Sequence, residues 1–157
     1  MNKKIKTSKI LEAHQVLGSA KYSKLDDADK IKVWKIARKL QPIATKFDED
    51  SKDAAEKLKP TEDFNDRLEK AQKYEAEIRK PDMDASKLPM GAAEYDQFIG
   101  ELKKYNKLVG DAVKEFGEKE VKIEFEPISE DAFGKLMASN EGWNMAQVTA
   151  LGELIVE

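Results

Sequence analysis

The chain has 157 residues, with 28 Lys and Arg against 31 Asp and Glu, one His and no Cys. At 40% hydrophobic and 38% charged, against about 25% charged in an average domain, it is too polar for a sheet covered on both faces and suits an elongated helical protein with much wetted surface. The length fits one domain over 1–157, and the lack of Cys excludes a disulfide framework and a thiolate ligand or nucleophile and fits a reducing compartment.

The start, Met1-Asn2-Lys3-Lys4-Ile5, is basic but leads into no apolar stretch, so it is not read as a signal peptide. No apolar run approaches the ~18 residues of a membrane span. A soluble protein that stays in the cytoplasm is expected, with no membrane partner.

Lys3-Ile5-Thr7 alternates weakly and reads as a short strand. Thr7 or Ser8 then caps a helix through Ile10, Leu11, Ala13, His14 and Leu17, ended by Gly18 and Ser19. Asp26 caps a second helix, with Asp27 and Asp29 at its positive end. Its stripe of Val33, Ile36, Ala37, Leu40, Ile43, Ala44 and Phe47 is the best helical signal in the chain. Pro42 interrupts that stripe at a cost of ~3 kcal/mol, yet the phase continues past it, which predicts one kinked helix running on towards Leu58 and Pro60.

Thr61 is the expected cap of a third helix, whose stripe is Phe64, Leu68, Ala71 and Ile78. The segment 80–91 holds two prolines and a glycine without any period and reads as a loop. A fourth helix carries Tyr95, Phe98, Ile99, Leu102, Tyr105, Val109, Ala112, Val113 and Phe116 on one face, with Gly117 as its C′ residue. Two such helices around a Pro-rich loop predict an antiparallel hairpin. Its arm would span about 27–116, at about 30–45 Å in length, on a base formed by 1–25 and 118–157.

At Val121-Lys122-Ile123-Glu124-Phe125 the period changes to two, which reads as a half-buried strand ended by Pro127. A lone strand leaves its backbone unpaired. The only available partner is Lys3-Ile5, so a small two-stranded sheet joining the chain ends is expected. Ser129 caps a short helix through Phe133, Leu136 and Met137. Asn144 and Gln147 form a capping box for the last helix, with Met145, Val148, Leu151, Leu154 and Ile155 on its stripe. The fold class is thus mainly α: a long antiparallel hairpin, a two-stranded sheet pairing the N- and C-terminal segments, and short terminal helices.

Chemistry is sparse. His14 is the only histidine, and as a base it lacks a nucleophile and an orienting group. Zinc would have to rely on carboxylates. The acidic run Asp48-Glu49-Asp50-Ser51-Lys52-Asp53 fails as a calcium loop, because Lys52, Asp53 and Lys59 stand at the fifth, sixth and twelfth positions. The eight glycines are scattered and form no phosphate cradle. No enzyme, metal or cofactor is expected.

Charge is uneven. Residues 1–40 hold 11 Lys and Arg against 4 Asp and Glu, while 41–100 and 101–157 are each acidic by five. Lys32, Lys35 and Lys39 lie along one edge of the second helix and would be the contacts of a nucleic-acid binder. That alternative is weakened by the net charge of −3 and by the absence of aromatics interleaved with the lysines. Ile31, Trp34 and Arg38 project opposite the buried stripe. A second apolar face is either covered by another element or offered for contact, and cover by the first or last helix is the simpler expectation. If exposed, Trp34 and Arg38 are candidate protein contacts, with Trp143 a weaker one.

The order of a basic strand and helix, a charged hairpin, the strand Val121-Lys122-Ile123-Glu124-Phe125-Glu126-Pro127-Ile128 and a last helix ending Ala150-Leu151-Gly152-Glu153-Leu154-Ile155 resembles a family of small, uncharacterised helical-hairpin proteins encoded by tailed bacteriophages and prophages. Val33-Trp34-Lys35-Ile36-Ala37-Arg38-Lys39-Leu40 is similar to that family's second-helix opening. The resemblance implies context, a phage or prophage gene expressed in the cytoplasm of a bacterial host; taken with the sparse chemistry, the expected role is non-enzymatic, an accessory or assembly protein that could join the virion, or a host-directed one, acting through a phage protein, a host protein or a second copy. The family has no assigned activity, so no site residue transfers.

Overall fold

In the computed structural model, which describes residues 2–157, the two alternating segments pair with each other. Strand β1 (Asn2–Lys6) runs antiparallel to β2 (Glu120–Glu124), with Lys3 opposite Ile123 and Ile5 opposite Val121. The expected closure of the chain ends is therefore present. About 70% of the chain is helical. Among the described residues there are six α-helices: α1 (Thr7–Gly18), α2 (Asp27–Lys57), α3 (Phe64–Ile78), α4 (Ala92–Glu118), α5 (Glu130–Ser139) and α6 (Met145–Ile155). A single 3-10 turn, Ala85–Lys87, lies in the loop at 80–91. No helix among the described residues is long and apolar enough to cross a membrane.

Contacts divide the chain into two compact units: the described residues up to Asp50 together with Lys114–Glu157, and Ser51–Val113.

The first unit is built around the sheet. Helix α1 begins directly at Thr7, so Lys6 takes the cap position and no side chain caps the helix. This corrects the expected Thr7 or Ser8 cap. Thr7 is buried and turned to the sheet end, where its N–H and its hydroxyl both donate to the Lys119 carbonyl, at 2.8 and 2.9 Å. Burying a hydroxyl is tolerable because it is bonded. Gly117 is likewise not a C′ residue, for α4 continues through Glu118. Asp26 does cap α2, accepting from the Asp29 N–H at 2.8 Å, and the helix passes unbroken through Pro42.

Helix α1 packs on α6, and Ile10, Ala13 and Leu17 share a core with Val33, Ile36 and Leu40 of α2, Leu136 of α5 and Leu151 and Ile155 of α6. Ser129 caps α5 and Asn144 with Gln147 closes the capping box of α6, as the sequence indicates. Met145 departs from the expected stripe: it stands in the first turn of α6 and is 77% exposed. One tie had no sequence signal. Ile128 forms a parallel bridge with Val156, donating to the Ile155 carbonyl at 2.8 Å and accepting from Glu157 at 3.2 Å.

The second unit contains the hairpin of α3 and α4. Phe64 meets Phe98 and Tyr105, with ring centroids 5.5 and 4.7 Å apart, and Tyr74 stacks on Tyr95 at 4.4 Å. Arg67 pairs with Glu101 at 2.7 Å and lies over the Phe98 ring. Contacts that step backwards along α4 as they step forwards along α3 define an antiparallel register. Two local expectations fail. Thr61 does not cap α3, whose cap position is Asp63 and has no side-chain bond. Ile78, the last residue of α3, is exposed rather than buried. Tyr74 and Glu77 hold that end of the face instead.

Candidate interaction surface

Helix α2 places one face in the core and leaves another open. Val33, Ile36 and Leu40 are buried, so residues about half a turn away point outwards by the 3.6-residue period. Ile31 and Trp34 are exposed to 52% and 55%. The expected cover by the first or last helix is absent. The reason is the packing of α1 and α6 on each other and on the buried stripe of α2, which leaves no element of this unit over the outer face. Isolated exposed apolar residues are ordinary, but Ile31 and Trp34 are one turn apart, and Lys35 and Arg38 continue the same face.

The Arg38 guanidinium lies over the Trp34 ring, 4.8 Å from its centroid. Such stacking holds both side chains in one arrangement while leaving the guanidinium N–H edges free to donate. Trp34, Lys35, Arg38 and Lys39 line a shallow recess of about 250 Å³. Beside it, Lys32, Lys35, Ile36, Lys39, Phe125 and Glu126 line a cleft of about 110 Å³.

The three lysines of the alternative reading differ in state. Lys32 pairs with Glu126 at 3.1 Å, and that hydrogen bond, then the carboxylate's charge, raises its pKa. Lys35 and Lys39 are exposed beside Trp34. An aromatic therefore does stand among these cations, contrary to the sequence reading, which weighed the lysine edge and the Trp34 face separately. Trp143 belongs elsewhere. It is half-buried against the core of its unit, which leaves Trp34 and Arg38 as the candidate pair.

Two further concavities occur in this unit. A groove of about 730 Å³ between α1 and α6 is lined by Lys9, Glu12, Gln15, Asn144, Met145 and Glu153, among others. An apolar groove of about 450 Å³ runs past Pro42, Ile43, Phe47, Phe116 and Val121. His14 is half-buried on α1 and lines none of these. Among the described residues, no group of three or more His, Asp or Glu is placed to hold a metal ion.

No family model matches the chain, and neither a curated protein nor a solved structure does.

Proposed function

We propose that this chain is a non-enzymatic protein-interaction module that engages its partner through the outer face of α2. The observation that carries this reading is the exposed Trp34 with Arg38 stacked over its ring, beside exposed Ile31. Trp and Arg are the residues that most often dominate interface energies, and a stacked pair loses little further freedom on docking. The resemblance to phage- and prophage-encoded proteins, which rests on the sequence alone, makes a phage or host protein of the bacterial cytoplasm, or a virion component, the partner to look for.

The test is affinity capture from infected or lysogenic bacterial cells with the native chain and with the Trp34→Ala, Arg38→Ala double variant, alongside mass measurement of the purified protein. Partners retained by the native chain and lost with the double variant support the reading; partners held equally by both remove the α2 face from it. Nucleic-acid binding through Lys35 and Lys39 is checked separately by a mobility shift at low salt. A shift abolished by Lys35→Glu would replace the protein reading.

A further inference from the structure

Resting on that reading, we propose that the α2 face receives an acidic protein segment that sets an apolar side chain against Trp34. Charge complementarity identifies the occupant. Along this part of α2, Lys30 pairs with Asp27 at 3.5 Å and Lys32 with Glu126 at 3.1 Å. Lys35, Arg38 and Lys39, which surround Trp34, meet no carboxylate among the described residues. Glu126, which shares a cleft with Lys35 and Lys39, is held by Lys32 instead. A docked carboxylate would accept from the outer N–H edge of Arg38 without breaking its stack on the indole.

Apolar and charge features together favour protein over a phosphate polymer. Exposed Ile31 beside Trp34 adds aliphatic area that base stacking on an aromatic ring does not use. The chain's pI of about 5.5 is far from the strongly basic footprint of nucleic-acid binders.

The experiment titrates an amphipathic peptide of Glu, Leu and Ala, with its leucines on one helical face, into the Trp143→Phe variant, whose only indole is Trp34. Calorimetry on the native chain runs in parallel in case that variant fails to fold. Saturable binding with a blue shift of Trp34 emission is expected. Affinity should fall about tenfold or more on Arg38→Glu or Lys35→Glu, and fall likewise as salt rises. Absence of binding at about millimolar peptide, or binding indifferent to both charge reversals, overturns the proposal. So does tighter binding of a DNA duplex, and so does a concentration-dependent blue shift without peptide, which would give the face to a second copy. If captured cell proteins depend on Trp34 but present a neutral or basic segment, this inference fails and the interaction reading stands. If capture ignores Trp34, both fall.

Discussion

Tyr95 shows how a single hydrogen bond is written into a titration. Its hydroxyl donates to the Glu75 carboxylate, and that bond, then burial, pushes its pKa up to about 12 from 10.0. The neutral phenol is the form the fold favours. Its contribution to stability is therefore whole below the unfolded value near 10 and is lost as the pH rises towards 12. Glu75→Gln should bring this tyrosine's ionisation back towards 10, read from tyrosinate absorbance; an unchanged alkaline limb would show that Glu75 does not hold the proton. Asn140 acts through geometry instead. Its amide donates to the Lys21 carbonyl at 2.8 Å and its oxygen accepts from the Lys21 N–H at 2.7 Å, while Ser139 accepts from the Lys24 N–H at 2.9 Å. These bonds latch the segment between α1 and α2 onto the end of α5. Asn140→Ala strips two partners from one residue's backbone and should cost about 1–2 kcal/mol, measured as a lower urea midpoint at unchanged slope.

At the scale of elements, one carboxylate ties the start of the loop at 80–91 to the end of α3. Glu77, buried at the end of α3, accepts from the Lys80 ammonium at 2.7 Å and from the Asp84 N–H at 3.2 Å. The Lys80 bond first, then the Asp84 N–H, holds its pKa below the ordinary 4.5. A carboxylate with a lowered folded pKa stabilises above its ordinary value, and that contribution is lost as pH falls through the lowered one. Amides over 80–91 should therefore lose protection in acid, measured against their intrinsic exchange rates at each pH, and Glu77→Gln should show the lowered protection already at neutral pH; equal protection in both proteins would discharge Glu77 from this role. Pro42 makes the opposite case. It is exposed in the middle of α2 and costs the helix a hydrogen bond. Pro42→Ala should raise stability by about 1–3 kcal/mol, seen as a higher urea midpoint. What the sequence made legible at this scale was what periodicity encodes. The α2 stripe, the Asn144–Gln147 box and the strand at Val121–Ile123 all follow from spacing. The Thr7 cap was not legible because a hydroxyl near a helix start does not say whether a competing partner is near. For Thr7 that partner is the Lys119 carbonyl, more than a hundred residues away.

Two separate cores set how the whole molecule responds to damage. Closure of the chain ends could be read in advance, since a strand must find a partner and only one was on offer. Division into two units could not, because α2 and α4 read as unbroken periodic segments across the boundaries near Asp50 and Val113. Nor could the exposure of Trp34: periodicity tells which residues share a face but not whether anything lies over it. Each core can now be challenged alone. Phe98 is fully buried among Phe64, Tyr105 and Arg67, and Leu136 is fully buried between α1, α2 and α6 residues of the other cluster. The two clusters share no residue. Truncation to Ala removes packing that its neighbours cannot refill, about 3–5 kcal/mol for the Phe and about 2–5 for the Leu. If cohesion resides in these clusters, Phe98→Ala should speed amide exchange chiefly within Ser51–Val113, with β1, β2 and α6 keeping their protection. Leu136→Ala should do the reverse and also weaken whatever binds α2, since Val33, Ile36 and Leu40 fix the helix that presents Trp34. Loss of protection throughout the chain from either change would mean that α2 and α4 transmit the damage, and that the molecule unfolds as one cooperative body.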